Sequence, residues 1–273
     1  MFEITKILFV VDRSAVCDSF ASQVATVVTR LDAELTVFNV DQAPQQGEVA
    51  EQIVDLADAG GVDLIMMAAQ EPGIVRRLFG PSTLHKVLRQ CRCAVWTAQG
   101  PQALAKAKFS KIACAVDLSA DSVRVLSAAG TLAKQWNCDL AIVHAMPEMD
   151  ESLLQLAALN DLPVTLSQKV VRDEVAKLQS LASTSAGLHI ETSDVRKGVR
   201  RALHRLDADL LVIGPGRNAA KFGASGSNVK TLVRAASCPV LVLEKIAAGP
   251  RLTKDVPVEQ PMSRSAKWSG HTR

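Results

Sequence analysis

The chain has 273 residues, of which 48% are hydrophobic and 22% charged, a balance typical of a globular protein with a sizeable core and not of a disordered or fibrous one. No apolar run approaches the ~20 residues that span a bilayer, and the run at residues 7–11 is too short for a secretory signal. We therefore expect a cytoplasmic protein with no membrane anchor.

The net charge of +3 has a definite location in the chain. The segment from Ile246 to Arg273 contains five Lys or Arg and two Asp or Glu, so the rest of the chain is neutral on average. Three Pro and no apolar periodicity predict that residues 246–273 form a disordered basic tail. Since the body of the protein has no overall positive charge, we expect no specific nucleic-acid partner.

The six cysteines are scattered through periodic segments instead of framing loops, which is typical of reduced thiols. Only Cys91 and Cys93 are close, and one intervening residue is a poor spacing for a zinc site. We therefore expect no metal centre.

Two segments near the start of the chain recur later in the sequence. "ITKILFVVDRS" (4–14) matches "FSKIACAVDLS" (109–119) at an offset of 105, and "VDLIMMA" (62–68) matches "ADLLVIG" (208–214) at an offset of 146. The chain is therefore a duplication in which the second copy contains 41 more residues in its middle.

Short β-branched runs and apolar residues at helical spacing alternate along both copies. Strands are predicted, in chain order, at residues 7–11, 35–40, 62–68, 94–98, 112–116, 140–144, 188–192, 210–213 and 240–244. Helices are predicted after the strands at 7–11 and 112–116, and at residues 49–59, 166–184, 199–206 and 228–236. Ser14 and Ser119 are expected to cap the first helix of each copy.

This alternation predicts an α/β fold of right-handed crossovers, with a parallel sheet in each copy and helices on both faces. The polar segment 99–108 is the expected boundary. The predicted domains are residues 1–98, residues 109–245 and the tail. The apolar strands at 94–98 and 240–244 would be exposed edges unless they pair. Pairing within the chain would make a monomeric pseudo-dimer, and a homodimer is the alternative.

Five segments, taken together, resemble a tandem universal stress protein. They are "VDLS" (116–119), His144 at the end of its strand, "ADLLVIG" (208–214), "GSN" (226–228) and "SCPVLVLE" (237–244). The resemblance covers nearly all of residues 4–245. It implies, for each domain, a five-stranded open α/β sheet of the adenine nucleotide α-hydrolase type.

The family's nucleotide-binding members are similar in a glycine loop, which this chain matches with one position missing. Two glycines separated by two residues are followed, nine residues later, by Gly and Ser or Thr. Here Gly214 and Gly216 have one residue between them, and nine residues then lead to Gly226 and Ser227. In the first copy Ala68 and Gln70 stand at the glycine positions, and Pro81 follows Gly80. The first copy is therefore not expected to bind nucleotide.

Glycines beside a helix start leave main-chain amides unhindered for phosphate oxygens, and Asn228 begins the predicted helix. The resemblance further implies that Asp117 lies beside the adenosine part of a bound ATP or AMP, and Ala145 near the base. The alternatives are that the glycine loop is only a turn and that Asp117 only organises the turn before Ser119. His144 is expected to be a strand-end residue, not a general base.

No nucleophile with a neighbouring base appears, and no acidic residue lies between Gly214 and Lys230. Together with this absence, the resemblance implies a stress-response regulator that holds an adenine nucleotide and acts on an unidentified protein partner. A scaffold that binds no nucleotide and a slow ATP hydrolase are the alternatives.

Overall fold

The computed structural model describes residues 2–11, 15–40, 48–69, 81–106, 108–146, 164–215 and 228–244. The strands in these ranges are β1 Lys6–Val11, β2 Glu34–Asn39, β3 Leu64–Ala69, β4 Ala94–Gln99, β5 Lys111–Ala115, β6 Asp139–Met146, β7 Gly187–Thr192, β8 Leu210–Ile213 and β9 Val240–Val242. The helices are α1 Ala15–Leu31, α2 Val49–Gly60, α3 Pro81–Gln90, α4 Gly100–Ala105, α5 Asp121–Trp136, α6 Val164–Leu181, α7 Val195–Leu206 and α8 Asn228–Ala235. None of these helices has the length and hydropathy that a membrane span requires.

The described strands form one sheet in the order β2-β1-β3-β4-β9-β8-β5-β6-β7. All neighbours are parallel except β4 and β9, which pair antiparallel with Trp96 opposite Leu241. The first half of the chain supplies β1 to β4 and the second half supplies β5 to β9. The α/β fold is confirmed, and so is the prediction that the strands near 94–98 and 240–244 pair within the chain.

The two faces of the sheet have separate cores. Side chains of α1, α4, α5 and α6 pack on one face, and those of α2, α3, α7 and α8 pack on the other. Most strand residues are buried on both faces, as in β8, because helices cover both sides. This explains why the strands read as continuous apolar runs.

An equivalent carboxylate fixes the start of the paired strands in each half. Asp63 Oδ2 accepts hydrogen bonds from the Thr5 amide (2.9 Å), the Thr5 hydroxyl (2.8 Å) and the Lys6 amide (3.0 Å). Asp209 Oδ2 accepts the same three bonds from Ser110 and Lys111. These bonds set the register between β1 and β3 and between β5 and β8.

The segment 99–108, predicted as the boundary, contains a helix that packs against the first half. Ala103 and Leu104 of α4 are buried. Their carbonyl oxygens accept hydrogen bonds from the side-chain amide of the buried Gln23 in α1. The connection between the two halves is therefore part of the core.

The prediction that Ser119 caps α5 was wrong. The helix begins at Asp121 with Ala120 at the N-cap position and no side-chain cap. The side chain of Asp117 instead bonds to the turn that precedes the helix, as described below. The matching prediction for Ser14, and the basic tail at 246–273, lie outside the described residues.

Candidate functional site

The carboxyl ends of β5 and β8 form a topological switch point. The two strands are parallel neighbours, with Ala115 opposite Ile213. The chain leaves β5 toward α5 on one face of the sheet, whereas β8 leads toward α8 on the other face. In open α/β sheets a crevice forms where neighbouring connections diverge in this way, and ligands bind there.

Asp117, directly beyond β5, organises a tight turn at this edge. Its Oδ1 accepts hydrogen bonds from the Ser119 amide (3.0 Å) and from the Ser122 hydroxyl (3.0 Å). Leu118 between them has φ of +59°, which is unusual for a residue with a branched side chain. Asp117 itself is exposed. These bonds show the turn role that was the alternative for Asp117, and its role toward adenosine stays a prediction.

Gly214 lies on the opposite side of the switch point, directly beyond β8. A Cβ atom at this position would lie 3.1 Å from Cγ2 of Val125 in α5, so the absence of a side chain lets the helix approach the strand end. Pro215 follows and has no N–H for the β ladder, which explains why β8 ends at Ile213.

His144 and Ala145 lie near the end of β6, beside β5. His144 Nδ1 is 2.9 Å from the carbonyl oxygen of Val116, so Nδ1 carries the hydrogen and donates it. Ala145 is half-buried and pairs with Glu191 of β7. The ring of His144 therefore joins the ends of two strands, as expected for a strand-end residue.

An ion pair beside the switch point was not predicted. Arg124 in the first turns of α5 donates to the Glu244 carboxylate (Nη1 to Oε1, 2.9 Å) and to the Glu244 carbonyl oxygen (Nη2 to O, 2.6 Å). The pair ties the start of α5 to the chain just beyond β9. No local sequence signal reveals it, because its members are 120 residues apart.

The remaining predicted site residues divide into two groups. Asn228 is exposed and is the first residue of α8, whose N-terminus is on the carboxyl side of β8. Gly216, Gly226 and Ser227 lie outside the described residues. The structure therefore places Asp117 and Gly214 at the same carboxyl edge of the neighbouring strands β5 and β8.

The described thiols are not arranged for metal binding. Within the described ranges no group of three or more His, Cys, Asp or Glu could hold a metal ion, and the five cysteines whose side chains are described there, Cys91, Cys93, Cys114, Cys138 and Cys238, form no disulfide. Burial raises the pKa of Cys114 and of Cys238 to about 12. These two thiols are core residues.

Comparison with known proteins gives a family and a fold. The model of the universal stress protein family matches residues 45–99 and 108–244. No curated protein matched the chain. A Pseudomonas aeruginosa PAO1 protein of unknown function is similar in structure, with 18% identity and a TM-score of 0.63 over 88% of this chain and 92% of its own.

Two structures from Archaeoglobus fulgidus are also similar. A universal stress protein from strain DSM 4304 has 14% identity and a TM-score of 0.59 over 89% of this chain and 97% of its own. Another, in complex with dAMP, covers 50% of this chain and 98% of its own at 19% identity, with a TM-score of 0.35. The likeness to the first supports the fold alone, and the score of the second is too low to carry its ligand over to this chain.

Proposed function

Because the chain belongs to the universal stress protein family, we propose that its second half binds an adenine nucleotide, ATP or AMP, and that the protein is a stress-response regulator. The observation that carries the proposal is the switch point, where Asp117 and Gly214 flank the crevice between β5 and β8. Crevices of this kind are the usual ligand sites of open α/β sheets.

The two ends of the nucleotide would meet different chemistry. The triphosphate or monophosphate would bind the main-chain amides between Gly216 and Ser227 and at the start of α8, where helix amides lack internal acceptors. The adenosine would lie toward Asp117 and Ala145. Asp117 is already held by its bonds to Ser119 and Ser122, so its position requires no reorganisation on binding.

We propose binding without efficient turnover. Phosphoryl transfer requires carboxylates that hold magnesium beside the phosphates. The segment from Gly214 to Lys230 contains no Asp or Glu. A regulator that holds its nucleotide fits this composition better than a hydrolase, and incubation with ATP for several hours should yield no more ADP than the buffer does.

Isothermal titration of the full chain with ATP, AMP and GTP tests the proposal. We expect one adenine nucleotide per chain and no heat with GTP. At 100 times its dissociation constant the nucleotide should stabilise the fold by ~2.7 kcal/mol. No heat and no thermal shift with millimolar ATP or AMP would leave a tandem scaffold that acts through protein partners.

The duplication supplies a matched control for this titration. Asp117→Asn keeps an oxygen that can accept from Ser119 and Ser122 but removes the charge, and we expect it to weaken binding about tenfold, or ~1.4 kcal/mol. Asp12→Asn makes the same change at the aligned position of the first copy and should leave the affinity unchanged. Equal effects of the two variants would place the nucleotide elsewhere.

We also propose that the protein works in the cytoplasm. The five described cysteines form no disulfide, as expected in a reducing compartment. Fractionation of cells that produce the full chain would test this.

A further inference from the structure

Three helices on one face of the sheet, α3, α7 and α8, contain no acidic residue. Their basic residues are Lys86, Arg89, Arg196, Lys197, Arg200, Arg201, Arg205, Lys230 and Arg234. Lys86 is half-buried and the other eight are exposed. We refer to these nine residues as the basic face.

The two halves of the chain meet in the middle of the basic face with like charges. Buried Leu84 of α3 and Val229 of α8 lie on either side of the β4–β9 joint. His85 follows Leu84 in the sequence, and Lys230 follows Val229. Burial lowers the pKa of His85, and the positive charges of Lys230, Arg89 and Arg234 lower it further. Cations from both halves of the chain therefore lie within electrostatic range of His85.

One flank of α7 extends this positive surface. Lys197 pairs with Asp194, whereas Arg201 and Arg205 approach the buried Glu191 on the edge strand β7. Arg196 and Arg200 are one helical turn apart on the other flank, which faces α8. Arg196 and Arg200, the basic residues of α7 nearest to α8, thus lie on the flank away from Glu191.

Five cations of the basic face have no ion-pair partner among the residues that the structure describes. They are Arg89, Arg196, Arg200, Lys230 and Arg234. Charges that repel one another without a counter-ion favour an anionic ligand, because binding relieves the repulsion. Arg, which supplies four of the five, can form paired bonds with phosphate oxygens.

The chemistry of the surface narrows the choice of polyanion. The exposed large apolar residues of the described chain are Val37, Val170 and Leu181, and none of them is on α3, α7 or α8. Single-stranded nucleic acid is bound by aromatic stacking, membranes by apolar wedges, and proteins through buried aromatic anchors. A surface with charge and no such groups matches a regular row of phosphates, as in a duplex backbone.

We propose that the basic face binds the phosphodiester backbone of duplex nucleic acid, independently of its base sequence. The proposed binding surface extends from α7 across α8 to α3. It ends at α2, whose Glu51, Asp55 and Asp58 give that part of the same face a negative charge. The site is separate from the proposed nucleotide site and does not depend on it.

This proposal runs against the expectation from net charge. The body of the chain is neutral on average, so its composition indicates no nucleic-acid partner. The basic face is assembled from residues 81–90, 195–206 and 228–235, and acidic residues elsewhere in the sequence balance it. Only the fold shows that the charges are on one side.

Fluorescence anisotropy with the full chain and 20-base-pair duplexes of DNA and of RNA tests the proposal. The variant Arg196→Gln, Arg200→Gln, Lys230→Gln, Arg234→Gln should bind at least tenfold more weakly at 100 mM salt. The slope of log K against log salt concentration should fall in magnitude by about 3 to 4, since each phosphate contact contributes ~0.9. Two unrelated duplex sequences should bind wild type within about threefold of each other.

Two variants with the same loss of charge serve as controls. One replaces four exposed cations on the opposite face, Lys134, Lys169, Arg172 and Lys177, by Gln. The other replaces Arg251, Lys254, Arg264 and Lys267 of the tail by Gln. We expect each control to bind within about threefold of wild type. If the four-residue face variant does not fold, Arg196→Gln with Arg200→Gln alone should still reduce the slope by about 2.

The proposal is supported if wild type binds the DNA or the RNA duplex and the four-residue face variant does not. The duplex that binds shows whether the phosphodiester backbone belongs to DNA or to RNA. Four results would overturn the proposal. They are no binding of either duplex at 50 mM salt, an equal loss in a control variant, strong preference for one base sequence, and tighter binding of phosphatidylserine vesicles or polyglutamate than of duplex.

Discussion

The two halves of the molecule share one register but differ where the equivalent strands β3 and β8 end. In the first half β3 continues to Ala69, with Ala68 opposite Ala98 and Ala69 opposite Gln99 of β4. In the second half β8 stops at Ile213, and Gly214 and Pro215 stand at the positions equivalent to Ala68 and Ala69. The first half therefore has two further ladder positions, between β3 and β4. Two residues can thus alter one strand end without any change of fold.

The largest expected effect concerns the joint between the halves. Trp96 of β4 is buried and packs against Phe109 (5.4 Å between ring centroids) and Trp136 (6.1 Å). Trp96→Ala should lower the free energy of unfolding by about 3–5 kcal/mol, because it leaves a cavity among these rings. Urea denaturation followed by circular dichroism measures this loss.

The exposed Leu181 provides the control for that change, since Leu181→Ala should alter stability by less than about 0.5 kcal/mol. If the two halves form one cooperative unit, Trp96→Ala shifts a single transition. Two separate transitions in the variant would show that the halves unfold independently.

The second prediction tests the difference at the glycine loop. Gly226→Val should reduce ATP affinity about 100-fold, or ~2.7 kcal/mol, because a branched side chain would obstruct main-chain amides that bind phosphate. Gly80→Val changes the aligned position of the first half and should leave the affinity within about twofold. Titration calorimetry measures both, and a loss in the Gly80 variant would mean that the first half contributes to the site.

The third prediction compares the two strand-start carboxylates. Asp209 also pairs with Lys106 (Oδ1 to Nζ, 3.0 Å), and the described residues offer Asp63 no such partner. Asp209→Asn should therefore cost about 2 kcal/mol and Asp63→Asn about 1 kcal/mol. Chemical denaturation at pH 7 measures both, and a larger cost for Asp63→Asn would contradict the comparison.

The effect at Asp209 should depend on pH. Burial raises the pKa of Asp209, but hydrogen bonds from Ser110, Lys106 and Lys111 outweigh it and hold the pKa below the usual value of 3.8. The ionised group therefore stabilises the fold above about pH 4, and this stabilisation is lost as the pH falls through the folded-state pKa. The difference between wild type and Asp209→Asn should shrink between pH 5 and pH 2, and a difference that grows would refute the assignment.

The smallest expected effect is that of Thr97→Val, at the cross-strand pair Thr97 and Val240. Thr97 is fully buried, and its hydroxyl has no hydrogen-bond partner among the described residues. Thr97→Val should raise the free energy of unfolding by up to ~1 kcal/mol, because it removes an unsatisfied polar group without changing the shape. The reciprocal change, Val240→Thr, should cost about 1–3 kcal/mol, and thermal denaturation resolves both.

Much of this architecture was predictable because its signals are local. Strands were found within a few residues of their ends, since each is a buried apolar run bounded by polar residues. Asp117 and Gly214 were identified because each directly follows such a run and matches the resemblance to the universal stress proteins. The turn at Asp117 was one of the alternatives considered, and its carboxylate accepts from the Ser119 amide and the Ser122 hydroxyl, while Ser119 does not cap the helix.

The features that sequence reasoning missed depend on contacts between distant segments. The segment 99–108 was expected to be a polar boundary, but it contains α4, whose carbonyl oxygens accept hydrogen bonds from Gln23, about 80 residues away in the chain. The Arg124–Glu244 pair and the basic face likewise combine elements that are far apart in sequence. The net charge and composition of a whole chain do not show such groupings.

The antiparallel joint of β4 and β9 has a thermodynamic consequence. Two separate subunits that share an edge lose translational freedom when they associate, and their stability rises with protein concentration. Here the partner edge is always present, since both strands belong to one polypeptide. The central ladder therefore persists at any dilution, and the chain keeps its paired form even when the cell makes very few copies.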